Sequence, residues 1–191
     1  MAVYVEDDFL PEVILKEMEK YLVNFEEVDT GEKKFWVMDP LEPFVDYVLK
    51  RLSLIFKGSE VSNVFCFHRI ATDKLDTDWR IHCDSIIDDD LPDRAGVIYL
   101  SDTELEEMHG TALWEHKVHG EALPWDKLSS DEFNRLLRED ANDLSKWNLK
   151  SVIGYKKNRF VTYPCNLFHS KYPNYGWKSG RKIFVIFYKV N

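Results

Sequence analysis

The sequence predicts an α+β fold, with helices packed on a sandwich or barrel of strands. Two observations carry this expectation. The first third of the chain holds two stretches with apolar residues at helical spacing. Most of the remainder breaks into short apolar and aromatic runs separated by turn-forming residues.

Val3-Tyr4-Val5 reads as a short strand. Asp8-Phe9-Leu10-Pro11 then opens a helix, with proline suited to the first turn. Leu10, Ile14, Met18, Tyr21, Leu22 and Phe25 form its apolar stripe. A second amphipathic helix is expected from about Leu41 to Phe56, ending near Gly58, with Phe44, Val45, Val48, Leu52, Ile55 and Phe56 on its buried side. Strand candidates follow at Val61–Ile70, Trp79–Ile87, Gly96–Leu100, Thr111–Glu115, Arg159–Tyr163 and Lys182–Lys189. Gly120 to Gly154 departs from this pattern. Ser129-Ser130-Asp131-Glu132 fits a helix capping box, and Phe133, Leu136 and Leu137 supply an apolar face. This segment is expected as a helical insert between two strands, either a cover for the core or a lid beside a site.

The 191 residues are expected to form a single domain, 1–191, large enough to bury a core without staples. The formal net charge of -9 argues against generic binding to phosphate backbones or anionic membranes. Basic clusters at Lys156-Lys157-Asn158-Arg159 and Arg181-Lys182 are local exceptions. Cys66, Cys83 and Cys165 form no Cys-x-x-Cys pair, and their odd number points away from a disulfide framework toward a reducing compartment. With no signal peptide or membrane span in the pattern, the expected location is the cytoplasm.

Trp79-Arg80-Ile81-His82-Cys83-Asp84 is the most informative segment. On a strand, residues two apart share a face, so His82 and Asp84 project together while Cys83 turns away. One imidazole and one carboxylate make two corners of a metal site. His169, just before the terminal apolar strand, is the candidate third ligand. Two histidines and a carboxylate leave open positions that suit non-haem iron(II). Arg181 opens the last strand, where a buried guanidinium needs an anionic partner. Either a ligand carboxylate or an internal Asp or Glu meets that need.

These motifs, in this order, resemble the iron(II)- and 2-oxoglutarate-dependent dioxygenase superfamily, particularly its prolyl-hydroxylase-like branch. Phe9-Leu10-Pro11 followed by a helix looks like the family's N-terminal segment. His82-Cys83-Asp84 matches its His-x-Asp motif, and Val97-Ile98-Tyr99-Leu100-Ser101-Asp102 looks like the strand that follows. His109-Gly110-Thr111-Ala112-Leu113-Trp114 resembles the Gly-Gly-Thr strand, with His109 in place of the first glycine. His169 and Arg181 match the distal histidine and the co-substrate arginine.

The resemblance implies a double-stranded β-helix, a jelly-roll-like core, with iron(II) held by His82, Asp84 and His169. It also implies 2-oxoglutarate as co-substrate, with its distal carboxylate on Arg181 and with Tyr99 and His68 as further contacts. The implied reaction consumes dioxygen and 2-oxoglutarate, hydroxylates a substrate, and releases succinate and carbon dioxide, with ascorbate as a supporting reductant. A peptide side chain, prolyl first, or a small molecule is the expected substrate. Nucleic acid is not, and the sequence is silent on oligomeric state. Trp79, Tyr99, Trp114 and Tyr163 are aromatic candidates for packing on a proline ring. The loop from Ala71 to Asp78 and the insert depart from a compact prolyl-hydroxylase pattern. The alternative is a non-catalytic jelly-roll module that retains metal ligands.

Three other features read as structural. His116-x-x-His119 reads as a solvated loop. Asp88-Asp89-Asp90 with Asp93 reads as a solvated turn or as an acidic rim. Lys156 to Arg159 reads as a solvated strand entrance. Nothing resembles the nucleophile elbow of a hydrolase.

Overall fold

The computed structural model describes residues 3–31, 33–84, 92–102, 108–124, 127–173, 177–178 and 180–191. Its elements are mixed, with a few helices on mostly antiparallel sheet. In chain order they are β1 (Tyr4–Glu6), α1 (Glu12–Tyr21), β2 (Glu26–Asp29), β3 (Lys34–Met38), α2 (Glu42–Ile55), β4 (Val61–Ala71), β5 (Arg94–Tyr99) and β6 (Gly110–His116). Then follow α3 (Ser130–Arg138), β7 (Trp147–Gly154), β8 (Phe160–Pro164), β9 (His169–Tyr172) and β10 (Arg181–Val190). Two 3₁₀ turns, Asp140–Asn142 and Leu144–Lys146, join α3 to β7.

Seven strands form the larger sheet in the order β1-β8-β5-β10-β4-β3-β2, and three form a smaller one, β7-β6-β9. Strand β10 lies between β4 and β5 and is buried on both faces. Phe184, Ile186 and Tyr188 meet the helices, while Ile183, Val185 and Phe187 face the other way. A strand covered on both faces has no apolar-polar alternation, which is why this segment reads as one continuous apolar run.

Helices α1 and α2 cover one face of the larger sheet. Phe44, Val48 and Leu52 repeat every four residues and pack with Met18, Leu22, Phe184 and Ile186. Fully burying side chains of this size contributes about 1.5–3 kcal/mol each. Helix α2 stops where Gly58, at φ 87°, donates its N–H to the Ser53 carbonyl at 2.8 Å. Asn158 pins the start of the chain. Its amide accepts from the Leu10 N–H and donates to the Leu10 carbonyl, both at 2.8 Å.

On the back of the smaller sheet, Ala112, Trp114, Trp147 and Phe168 form a second apolar layer with Leu136 of α3. The expected capping box is present: Ser129 accepts from the Glu132 N–H while the Glu132 carboxylate accepts from the Ser129 N–H at 3.0 Å. The region 120–154 is not helical throughout, because its last eight residues are β7, paired along β6 from Gly110↔Gly154 to His116↔Trp147. Gly110 permits this pairing, since a Cβ there would meet the Ile153 carbonyl oxygen at 2.0 Å.

Strands β2, β3, β7 and β9 are additions to the sequence expectation. The expected strand Trp79–Ile87 is a correction: its described part, up to Asp84, makes only an isolated bridge at His82. Asp88, Asp89 and Asp90 lie outside the described residues. No helix among the described residues is long and apolar enough to cross a membrane.

Candidate active site

The segment that carries His82 and Asp84 is held by backbone contacts on both sides. His82 N–H donates to the His169 carbonyl at 2.9 Å, and His169 N–H returns the bond to the His82 carbonyl at 2.8 Å. Asp84 N–H reaches the Cys165 carbonyl at 2.8 Å, and Ile81 N–H reaches the Ala141 carbonyl at 3.1 Å. These bonds keep the segment extended enough for His82 and Asp84 to project together, although it is not a regular strand.

Side-chain hydrogen bonds aim both imidazoles. His82 Nδ1 lies 2.7 Å from the Arg80 carbonyl and His169 Nδ1 lies 3.0 Å from the Leu167 carbonyl. With Nδ1–H donated to a carbonyl, each Nε2 is the basic nitrogen, and that arrangement orients histidine ligands in metal sites. Both Nε2 atoms converge on one carboxylate: His82 at 3.7 Å from Asp84 Oδ1, His169 at 3.1 Å from Asp84 Oδ2. One ligand atom from each of the three residues lies within 4.8 Å of the others, the spacing a single ion requires.

The electrostatics fit a cation. Burial alone would raise the Asp84 carboxyl, yet the His169 and His82 imidazoles hold it down at about 2. Burial, reinforced by the neighbouring His169, pushes His82 down to about 4. For His169 the lowering effect of burial is outweighed by Asp84, and its pKa is raised. The Asp84 carboxylate thus favours positive charge at the point where the imidazoles converge. His169 is buried, whereas the His82 side chain keeps 42% of its surface open to solvent.

Beyond His169 the same interior face becomes polar. Leu113 and Thr111 of β6 pair with His169 and Lys171 of β9, so these residues share one face. Thr111 Oγ1 lies 2.8 Å from the Tyr99 hydroxyl. Arg181 opens β10 opposite Ala71, 6% exposed, with its guanidinium 5.7 Å from the ring centres of both Tyr99 and Trp177. Arg181 Nε is buried without a hydrogen-bond partner among the described residues. An unspent buried donor on a permanent cation is what an incoming carboxylate satisfies. Tyr163 packs against His169 with ring centres 4.7 Å apart, and Tyr155 stacks on Tyr99 at 4.2 Å.

The structure does not bring His68 to this group. His68 pairs with Phe184 on the helix-covered face, among Phe44, Phe184 and Tyr21. Burial pushes its imidazole down to about 4. Trp114 is likewise turned away, in the layer beneath α3, where Nε1 donates to Ser170 Oγ at 2.9 Å.

His116 is not in a solvated loop. It is 2% exposed, stacks on His119 and lies 3.3 Å from Asp140. Helix α3 packs behind the smaller sheet, on the face away from the ligand atoms, and its layer includes Ile81, the neighbour of His82. The insert therefore buttresses the ligand segment from behind. Lys156 and Arg159 are engaged by Asp7, and Lys157 by Glu19 and Asp102. Sequence reasoning missed Lys171, Thr111, Tyr155 and Trp177 as site-lining residues. Period-two reasoning from His169 finds Lys171 once β9 is recognised as a strand.

No protein-family model matches the sequence, and no curated protein matches it. Solved structures do match. HygX from Streptomyces hygroscopicus, with nickel, 2-oxoglutarate and hygromycin B bound, superposes with a TM-score of 0.65 at 13% identity, covering 100% of this chain and 83% of HygX. The non-heme alpha-ketoglutarate-dependent carbocyclase SnoK from nogalamycin biosynthesis gives 0.63 at 14% identity, covering 98% and 79%. A Pseudomonas putida prolyl-4-hydroxylase gives 0.54 at 11% identity, covering 100% and 93%. The structural neighbours are iron- and 2-oxoglutarate-dependent oxygenases, prolyl hydroxylases among them. At these identities the likeness establishes a shared fold.

Proposed function

We propose that this chain, which shares the fold of the iron- and 2-oxoglutarate-dependent oxygenases, is itself a dioxygenase of that class with a double-stranded β-helix core, a single domain over 1–191. The observation that carries the reading is the convergence of His82 Nε2, Asp84 and His169 Nε2 on one point. Two neutral imidazoles and a carboxylate are the donor set for non-haem iron(II) with positions left open. Arg181 supports the reading, because its buried Nε is unspent and it shares the interior with Tyr99 and Thr111. Bound iron(II) supplies the activation of dioxygen in the presence of 2-oxoglutarate.

The remaining work falls to the chain. Asp84 and the two imidazoles fix the ion, and the Arg80 and Leu167 carbonyls fix the imidazoles. Arg181, with the Tyr99–Thr111 pair, holds the distal carboxylate of 2-oxoglutarate. Val97, Val161, Ile183 and Val185 form apolar walls that exclude water from the interior.

For the substrate, a peptide side chain that the reaction hydroxylates, with a prolyl ring first, is one reading. Tyr163 and the half-buried Trp79 are the aromatic residues that support it. A small molecule is the second reading. It is favoured by the higher TM-scores to HygX, with hygromycin B bound, and to SnoK than to the prolyl-4-hydroxylase. We place the protein in the cytoplasm on its cysteine usage.

The test is succinate release from 2-oxoglutarate by the purified protein with iron(II), ascorbate and air. Proline-rich peptides, free amino acids, aminoglycosides and oligonucleotides are offered in parallel, and a gain of one oxygen is read by mass spectrometry. Iron binding without succinate release under any condition would instead assign a non-catalytic metal-binding module.

A further inference from the structure

Around the proposed co-substrate site this acidic protein places more cations than that site requires, Arg181 buried and Arg69 and Lys171 half-buried. Arg69 and Arg181 both lie within electrostatic reach of Lys171. Arg69 is neutralised, since its Nε and Nη2 engage both carboxylate oxygens of Asp76. Asp78 is occupied by Arg80 and Lys33. Asp84 belongs to the metal ligands. Among the described residues neither Lys171 nor Arg181 has a salt-bridge partner, and the Asp76 and Asp78 carboxylates that act on Lys171 from a distance are each paired with another cation. Among the described residues Lys171 Nζ makes one hydrogen bond, to the Asp76 backbone carbonyl at 2.9 Å, and an ammonium has three N–H donors.

Placement gives this surplus a direction. Lys171 is two residues after His169 on β9, so both side chains leave the same face about 7 Å apart along the strand. Its partner across the sheet is Thr111, whose hydroxyl meets Tyr99, and Tyr99 lies beside Arg181. Lys171, Thr111, Tyr99 and Arg181 thus surround the end of the interior remote from the metal ligands. Two neighbouring cations repel each other in a poorly screened interior unless an anion lies between them.

We propose that Lys171 is a second cation for the distal carboxylate of 2-oxoglutarate, which is then clasped between an ammonium and the Arg181 guanidinium. The inference rests on the function proposed above. It predicts a site unusually selective for a 2-oxo acid with a charged far end. Lys171 simultaneously ties the loop at Asp76 to β9, so ligand capture and loop position share one side chain.

Calorimetric titration of the iron(II)-loaded protein without oxygen tests it, using 2-oxoglutarate and 2-oxopentanoate. The second ligand keeps the 2-oxo acid head and chain length but ends in methyl. Lys171→Met and Lys171→Gln are compared with wild type; glutamine retains a donor for the Asp76 carbonyl while removing the charge. The expected result is a roughly ten- to hundredfold loss of 2-oxoglutarate affinity in both variants, the size of one charge-assisted hydrogen bond. Affinity for 2-oxopentanoate should stay within about twofold, which also shows that the variants are folded and metal-loaded. Lys171→Arg should restore most of the 2-oxoglutarate affinity.

Unchanged 2-oxoglutarate affinity in Lys171→Gln overturns the inference and leaves the proposed function standing. Equal weakening of both ligands also overturns it, assigning Lys171 to the loop alone. If Lys171→Met and Lys171→Gln both fail to fold, the Lys171→Arg selectivity ratio decides: a ratio unlike wild type overturns the clasp, and a ratio like wild type supports it. Wild-type protein that binds neither oxo acid overturns both the inference and the function beneath it.

Discussion

His82 and His169 exchange a pair of backbone hydrogen bonds, at 2.9 and 2.8 Å, while their Nε2 atoms converge on the Asp84 carboxylate. The link that sets ligand spacing is therefore main-chain and does not depend on a metal. It joins residues 87 positions apart in sequence, so the site forms only when the smaller sheet has closed against the segment carrying His82.

A preformed group of this kind should keep its fold when a ligand is removed. His82→Ala, Asp84→Ala and His169→Ala are each expected to lower iron(II) stoichiometry sharply, with far-ultraviolet circular dichroism unchanged. Uptake should also fall as pH is lowered, because the imidazoles bind metal only when neutral. Metal analysis after gel filtration reads both effects. Full iron content in both histidine variants would remove the assignment.

Arg181→Leu should leave iron bound and weaken 2-oxoglutarate. Losing a charge-assisted, bidentate contact costs roughly 2–4 kcal/mol, or about one to three decades in affinity. Titration of metal-loaded protein decides. Wild-type affinity in the variant would make Arg181 a structural cation.

Gly110→Ala is expected to be among the most damaging small substitutions outside the ligand set. The added Cβ would lie 2.0 Å from the Ile153 carbonyl oxygen, and that oxygen belongs to backbone that cannot rotate away. Overpacking of this kind typically costs about 1–3 kcal/mol. Denaturant unfolding should report that loss, with β6 and β7 displaced from each other. Stability within about 0.5 kcal/mol of wild type would show that the strands separate freely there.

His68 makes stability depend on pH. Its imidazole is buried on the helix side and is pushed down to about 4 from an ordinary 6.5. Between those values the unfolded chain binds a proton that the folded chain refuses. This contribution to stability is full above about pH 6.5 and is lost as pH falls toward 4. The difference amounts to roughly 3 kcal/mol. His68→Leu should flatten that part of the stability profile. A variant whose profile from pH 7 to 4.5 parallels wild type would show that His68 does not carry it.

Local pattern and long-range pairing divide this protein unevenly. Helices α1 and α2 and the capped start of α3 were legible because their cues lie within a few residues: proline at the helix start, an apolar stripe, and Ser129 with Glu132. Strand β2 was not, since Glu26–Asp29 is exposed throughout and has no alternation to read. Strand β9 is four residues long, too short for a period to emerge. His68 illustrates the larger gap. Its place on a strand was evident, but its face was not.

The amino-acid sequence by itself determined the helices, most long strands, and the set His82, Asp84, His169, Arg181 and Tyr99 as a candidate constellation, in chain order. Tertiary structure alone decided which of the chosen residues meet. It placed Tyr99 and Arg181 on one face of the larger sheet and His68 on the other, set α3 behind the smaller sheet, and paired Lys171 with Thr111, whose hydroxyl meets Tyr99. The physical reason is register. A strand's side chains alternate between faces, so a shift of one residue in pairing reverses them all, and pairing is chosen by partners far away in sequence.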